Sequence, residues 1–175
     1  MQHSLRTLEN GMRVVTVPLH DTQAISVLVF TQVGSRYETA KVNGVSHFIE
    51  HLMFKGTKKR PTTLDISKEL DGVGAQYNAY TSKDATCYYV KVNAEHSRMA
   101  FDVLSDMVRN ATFDPKEIER ERGVIVEEIN MYDDNPLLTI EEIFEQVVLG
   151  THHPLGRSIL GPRQVIRTIS RADIL

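Results

Sequence analysis

Short runs of β-branched and apolar residues predict strands in three parts of the chain. Residues 5–19 contain an Asn-Gly dipeptide, the strongest two-residue turn signal between strands, and are predicted to form a β-hairpin. Residues 24–33 are almost continuously apolar, and this continuity predicts a core strand that is covered on both faces. Residues 76–81 and 85–92 have strand composition on either side of a Ser-Lys-Asp turn, which predicts a second hairpin.

Apolar residues at helical spacing, together with capping residues, predict that much of the remaining chain is helical. The predicted helices cover residues 45–55, 64–70, 94–111, 115–132 and 138–149. Asp114 with the following proline is the clearest N-terminal signal. Ser170 and Asp173 resemble a capping box for a helix whose body is not in the sequence, so we expect a longer natural domain. The basic segment 58–61 is predicted to be a solvated turn.

Composition and charge are those of an ordinary globular protein and argue against several other classes of protein. The chain has 175 residues, a formal net charge of −3 and 25% charged residues, which suits one domain and indicates neither disorder nor a nucleic-acid-binding surface. No apolar run is long enough to span a bilayer, and the first residues lack the features of a leader peptide, so we predict a cytoplasmic protein without membrane segments. The single cysteine, Cys87, excludes a disulfide framework within the chain and is predicted to be a buried structural thiol rather than a nucleophile.

Candidate chemistry is concentrated in the first predicted helix, where His47, Glu50 and His51 form an H-x-x-E-H pattern. On a helix, residues three and four positions apart share one face, so both imidazoles and the carboxylate project in the same direction. Two neutral imidazoles can share one Zn²⁺, and the glutamate can take a proton from water that the metal activates. The pattern is the inverted zincin signature. The alternative is that these residues are ordinary polar positions on an amphipathic helix.

A catalytic zinc site needs a third protein ligand, and the helix that begins near Asp114 offers carboxylates for it. Glu121 and Glu128 lie seven residues apart, which is two helical turns, and therefore occupy nearly the same face. The other glutamates of this helix are predicted to be solvated; they are Glu117, Glu119 and Glu127. Spacing alone does not decide whether Glu121 or Glu128 is a ligand. A purely structural zinc site is a further alternative, although such sites usually contain several cysteines.

Two segments of the chain are distinctive: the H-x-x-E-H pattern followed by Leu-Met-Phe-Lys-Gly-Thr, and residues 119–128, Glu-Arg-Glu-Arg-Gly-Val-Ile-Val-Glu-Glu. Both resemble the pitrilysin/insulinase family of zinc peptidases, in particular the branch of the mitochondrial processing peptidase β-subunit and its bacterial homologues. The resemblance implies an α+β fold with a mixed, largely antiparallel sheet packed against helices. It also implies one Zn²⁺ per chain as cofactor.

The same resemblance implies roles for individual residues. The implied zinc ligands are His47, His51 and Glu128. The implied catalytic residues are Glu50, which acts as the base, and Glu121, which orients the ligands. The implied substrate-binding residues, on an edge strand that takes an extended peptide as a further strand, are Asn78 and Ala79.

By this resemblance the chain is a single N-terminal catalytic metallopeptidase domain, residues 1–175, that stops before the natural end of the domain. Family proteins continue into a second homologous domain, so we expect cleavage to need that domain or a partner subunit, and a homodimer is compatible with this expectation. The expected activity is zinc-dependent endopeptidase hydrolysis of bonds in extended peptides. The alternatives are a non-catalytic peptide-binding or assembly subunit, and a fragment that is inactive without its second half.

Overall fold

The strands of the computed structural model form two antiparallel sheets within residues 2–175, the part of the chain that the structure describes. Their bounds are Ser4–Thr7 (β1), Arg13–Thr16 (β2), Ala24–Thr31 (β3), Gln76–Thr81 (β4) and Thr86–Asn93 (β5). β1 and β2 pair as the predicted first hairpin, and β4 and β5 as the second. β3 pairs with the other edge of β5, which gives the strand order β3-β5-β4.

Helices form much of the remaining structure, and the longer ones lie close to their predicted positions. Their bounds are Val45–Met53 (α1), Thr63–Asp71 (α2), Ser97–Asn110 (α3), Pro115–Asp133 (α4), Pro136–Leu149 (α5), Arg163–Ile166 (α6) and Arg171–Ile174 (α7). The Asp114 side chain accepts a hydrogen bond from Lys116 N–H at the start of α4, and Ser170 and Asp173 form the predicted capping box of α7. The α+β prediction is confirmed. Among residues 2–175, none of the helices has both the length and the apolar character needed to span a bilayer.

The prediction that residues 24–33 form a strand covered on both faces is wrong for the described chain. β3 is an edge strand, because β5 occupies the centre of the three-stranded sheet. Its side chains alternate between core and surface: Val27 is 7% exposed, whereas Leu28 and Phe30 are 48% and 60% exposed. Apolar composition therefore identifies the strand but not its place in the sheet. Cys87, on β5, is fully buried as predicted.

Helix α1 lies between two apolar clusters. One cluster joins the inner face of the sheet to α2 and α3, and Met53, which is 7% exposed, is its buried member from α1. The other joins α1 to α4, α6 and α7 and contains Phe48 and Leu52, which are 0% and 1% exposed. Burial of an apolar side chain of this size contributes about 2 kcal/mol. Packing on both sides therefore fixes α1, and with it the polar residues that this helix carries.

In the basic segment 58–61 the structure differs from the prediction of a solvated turn at one residue. Lys58, Lys59 and Pro61 are exposed, whereas Arg60 is only 3% exposed. Its guanidinium pairs with Glu69 on α2 at 2.6 Å. It also pairs with Asp102 and Asp106 on α3, at 2.6 and 2.9 Å. Since these partners belong to other elements, Arg60 connects the loop after α1 to both helices.

Candidate metal centre

Helix α1 begins with a cap that comes from outside the helix. Its N-cap residue, Gly44, has a φ of +97°, and an added Cβ would lie 2.5 Å from the Leu160 carbonyl oxygen, so only glycine fits. The capping group is Glu38, whose carboxylate accepts hydrogen bonds from Gly44 N–H at 2.7 Å and Ser46 N–H at 2.8 Å. A negative charge at a helix N-terminus is stabilised by the unpaired N–H groups there. The start of α1, and therefore His47, is held in place.

Three potential metal ligands converge, two from α1 and one from α4. They are His47, His51 and Glu128, whose donor atoms all lie within 4.8 Å of one another. Glu128 Oε2 lies 3.6 Å from His47 Nε2 and 3.5 Å from His51 Nε2. A tetrahedral zinc with ligands at about 2.0–2.1 Å requires donor atoms roughly 3.3 Å apart, so the three residues fit one zinc ion. The neighbouring Glu127 is exposed and lies outside this group.

The two histidines differ in charge because their surroundings differ. Burial, and after it the proximity of His51, lowers the pKa of His47 to about 4. Burial also disfavours the charged form of His51, but hydrogen bonds to Glu121 and Glu128 outweigh it and raise the pKa of His51 to about 9. The hydrogen bond to His51 in turn lowers the pKa of Glu128. At pH 7 the metal-free group therefore contains a neutral His47 and a protonated His51.

Glu50 lies between the two histidines in α1 and has a partner on β4. The Thr81 hydroxyl donates a 2.6 Å hydrogen bond to Glu50 Oε2. Burial raises the pKa of Glu50, although the Thr81 hydrogen bond and the nearby His51 oppose this shift. A half-buried carboxylate with a raised pKa and a fixed orientation is suited to proton transfer.

Glu121 is 2% exposed and contacts His51 rather than joining the three donor atoms. Its Oε2 lies 3.1 Å from His51 Nδ1, and its Oε1 lies 2.7 Å from Lys55 Nζ. Burial would raise the pKa of Glu121, but the hydrogen bonds from His51 and Lys55 outweigh it and lower the pKa. Glu121 therefore meets the ring nitrogen of His51 that faces away from Glu128.

The two residues predicted to bind substrate lie at the free edge of β4, which pairs only with β5 in the described chain. In the connecting turn Ser82 N–H donates to Ala85 O, and the alternation of antiparallel pairs from there directs the N–H and C=O of Ala79 away from β5. The Ala79 side chain is buried, and its N–H donates to Asn78 Oδ1 at 2.9 Å. Ala79 therefore presents only its backbone at this edge, while the Asn78 side chain is exposed.

A family profile matches most of the chain. The profile described as Insulinase (Peptidase family M16) covers residues 13–163. The chain belongs to this peptidase family. The match confirms the resemblance seen in the sequence.

Similar proteins extend well beyond the matched region. The uncharacterized zinc protease YmxG of Bacillus subtilis is 40% identical over 164 residues, which cover 94% of this chain and 40% of YmxG. Mitochondrial-processing peptidase subunit beta of Rattus norvegicus is 41% identical over 174 residues, which cover 96% of this chain and 34% of that protein. The crystal structure of a protease from Helicobacter pylori matches with a TM-score of 0.92 at 30% identity, over 99% of this chain and 42% of that one. This chain therefore spans less than half the length of these relatives.

Sequence reasoning missed three residues that the structure connects to the metal centre: Glu38, Thr81 and Lys55. Each contacts the H-x-x-E-H helix or a residue that supports it. A signal existed for Glu38, because α1 starts at a glycine without a capping side chain and its N–H groups need an acceptor from elsewhere. Thr81 had no comparable signal, since it is an ordinary strand residue. Lys55 lies in the Leu-Met-Phe-Lys-Gly-Thr segment that carries the family resemblance, but nothing in that segment indicates a contact with Glu121.

Proposed function

We propose that the chain carries the zinc-binding and base-bearing part of a metalloendopeptidase, with His47, His51 and Glu128 as the zinc ligands. The observation that carries this proposal is the convergence of these three donors beside a half-buried glutamate, Glu50, on the same helix as the histidines. Two imidazoles and one carboxylate form a catalytic donor set, because they leave a coordination position open. Bound zinc would supply a Lewis acid that polarises the peptide carbonyl and lowers the pKa of water.

Glu50 acts first as general base and then as general acid. Its carboxylate takes a proton from the attacking water and passes it to the amide nitrogen of the leaving peptide. The raised pKa of Glu50 brings it closer to neutral pH, which favours both halves of this transfer. Since Oε2 already accepts the hydrogen bond from Thr81, we assign the proton exchange to Oε1. Glu121 contributes by orienting His51.

The substrate is an extended peptide that adds to the free edge of β4 as a further strand. A carbonyl of the peptide replaces Asn78 Oδ1 at the Ala79 N–H, and the freed Asn78 amide binds the peptide. Thr81 lies two residues further along the same edge and contacts Glu50. A strand that pairs with Ala79 therefore brings its next peptide bonds close to the base.

The rest of the protein completes the enzyme. The chain covers 40% of YmxG and 34% of the rat mitochondrial-processing peptidase subunit beta. We propose that cleavage depends on a further part, supplied by the same polypeptide, by a partner subunit or by a second copy. Relatives described as a zinc protease and a processing peptidase support peptide hydrolysis over a non-catalytic binding subunit, as does the complete set of ligands and base.

The Glu50→Gln variant of the complete protein tests this proposal, with Glu127→Gln as the matched control at an exposed glutamate outside the donor group. Glu50→Gln removes the base and no ligand. We therefore expect this variant to keep its zinc and to cleave a quenched extended peptide at least about 100-fold more slowly than the wild type. Glu127→Gln keeps both zinc and activity. Full cleavage by Glu50→Gln would contradict the proposal. A zinc-loaded wild type that binds the peptide without cleaving it would favour the non-catalytic alternative.

A further inference from the structure

The two histidines of the metal centre are held in different ways. His47 is fixed by burial, and its Nδ1 atom has no hydrogen-bond partner among residues 2–175. His51 is more exposed, and its ring is oriented by the contact between its Nδ1 atom and Glu121 Oε2. The orientation of His51 therefore depends on how firmly the Glu121 carboxylate is itself held.

Lys55 pairs with the Glu121 carboxylate oxygen that does not contact His51. Lys55 Nζ lies 2.7 Å from Glu121 Oε1, while Glu121 Oε2 lies 3.1 Å from His51 Nδ1. Both carboxylate oxygens are occupied, so the carboxylate cannot rotate without losing a bond. Lys55 follows the end of α1 by two residues, and its backbone N–H donates to Leu52 O at 3.0 Å. The carbonyl groups at a helix C-terminus attract a cation, which favours a lysine at this position.

Lys55 also compensates the negative charge of the buried Glu121 carboxylate. Glu121 is 2% exposed, and a buried carboxylate is stable only when it is paired. A histidine that ligates zinc is neutral, so His51 then offers a hydrogen bond but no positive charge. Lys55 is the other salt-bridge partner of Glu121 within the described part of the chain. Its charge is the one that remains beside Glu121 when a metal is bound.

We propose that Lys55 is a positioning residue of the zinc site, which acts through Glu121 to fix the orientation of His51. This inference rests on the proposed function, because it takes His51 as a zinc ligand. Lys55 is not part of the H-x-x-E-H pattern, but by this proposal it supports a ligand that is. Zinc affinity must then depend on Lys55 only while Glu121 is present.

Zinc affinity of the purified chain, measured by competition with a chromophoric chelator, tests this dependence. Lys55→Met keeps the length of the side chain and removes its charge, whereas Lys55→Arg keeps the charge. Glu121→Gln, alone and combined with Lys55→Met, completes a double-mutant cycle. Lys58→Met is the matched control, because Lys58 is an exposed lysine that lines the same surface cleft as Lys55 and makes no salt bridge among residues 2–175. Circular dichroism verifies the fold of each variant, and Lys55→Gln replaces Lys55→Met if the latter is unfolded.

We expect Lys55→Met to lower zinc affinity about tenfold, Lys55→Arg to restore most of it, and Lys58→Met to leave it unchanged. In the Glu121→Gln background, Lys55→Met has little further effect. Unchanged affinity in Lys55→Met, or an equal loss with and without Glu121, would overturn the inference while leaving the zinc site itself intact. A wild-type chain that binds no zinc would contradict the proposed function, and the role of Lys55 with it.

Discussion

The unequal protonation of the two histidines predicts that zinc binding releases a proton. At pH 7 the metal-free chain has a neutral His47, with a pKa of about 4, and a protonated His51, with a pKa of about 9. A ligating imidazole is neutral, so His51 gives up its proton when zinc binds. Glu128 is already ionised, because its pKa is lowered. Of the three ligands, His51 is therefore the one that releases a proton when zinc binds.

The size of this effect follows from the difference between the working pH and the pKa of His51. At two pH units below a pKa, about 99% of the molecules hold the proton, and zinc binding is weakened about 100-fold relative to its limit at high pH. Because the pKa of His51 is raised, the proton competes with zinc throughout the range below about pH 9. Zinc affinity therefore rises about tenfold per pH unit between about pH 5 and pH 8 and levels off above about pH 9.

Isothermal titration calorimetry at pH 7, in two weakly zinc-binding buffers with different ionisation enthalpies, measures the released protons. We expect about one proton per zinc in the wild type. The Glu121 carboxylate makes the largest of the interactions that raise the pKa of His51, and Glu121→Gln replaces it with a neutral amide, so in this variant zinc affinity levels off at a lower pH. The absence of proton release at pH 7, or a zinc affinity that is the same at pH 6 and pH 8, would show that His51 does not hold a proton that zinc must displace.

Two further predictions concern Arg60, which connects the loop after α1 to α2 and α3, and Thr81, which contacts Glu50. Arg60→Met leaves Asp106 buried without its cation and lowers the free energy of unfolding, measured in urea, by about 3 kcal/mol. Lys59→Met, on the exposed side of the same network, costs less than about 1 kcal/mol, and equal effects of the two changes would contradict this difference. Thr81→Val frees the Glu50 carboxylate, so it lowers kcat of the complete protein about tenfold, keeps its zinc and is rescued by Thr81→Ser. An effect on KM alone would contradict that role.

Local patterns predicted much of the fold and part of the metal centre. The capped helix from Asp114 and the shared face of His47 and His51 depend on residues only a few positions apart, which a sequence displays directly. Spacing did not choose between Glu121 and Glu128, because residues seven apart lie on nearly the same face. The geometry of α4 against α1 decides which of them meets both histidines. Only the family resemblance selected Glu128 in advance.

The features that the sequence did not predict depend on contacts between distant segments. Thr81 lies 31 positions from Glu50, and Arg60 lies 46 positions from Asp106. The prediction that Arg60 is solvated rests only on the basic composition of residues 58–61. The prediction that β3 is covered on both faces rests only on the apolar composition of residues 24–33. Burial of Arg60 follows from carboxylates on α2 and α3, and exposure of one face of β3 follows from the order in which whole strands pair.

Zinc stoichiometry by elemental analysis shows whether His47, His51 and Glu128 together hold one zinc ion. The purified wild-type chain is compared with Glu128→Gln and with Glu127→Gln, the neighbouring exposed glutamate. We expect one zinc per chain in the wild type and in Glu127→Gln, and little or none in Glu128→Gln. A folded wild-type chain without zinc, or a Glu128→Gln chain with full zinc content, would show that these three residues do not form a zinc site.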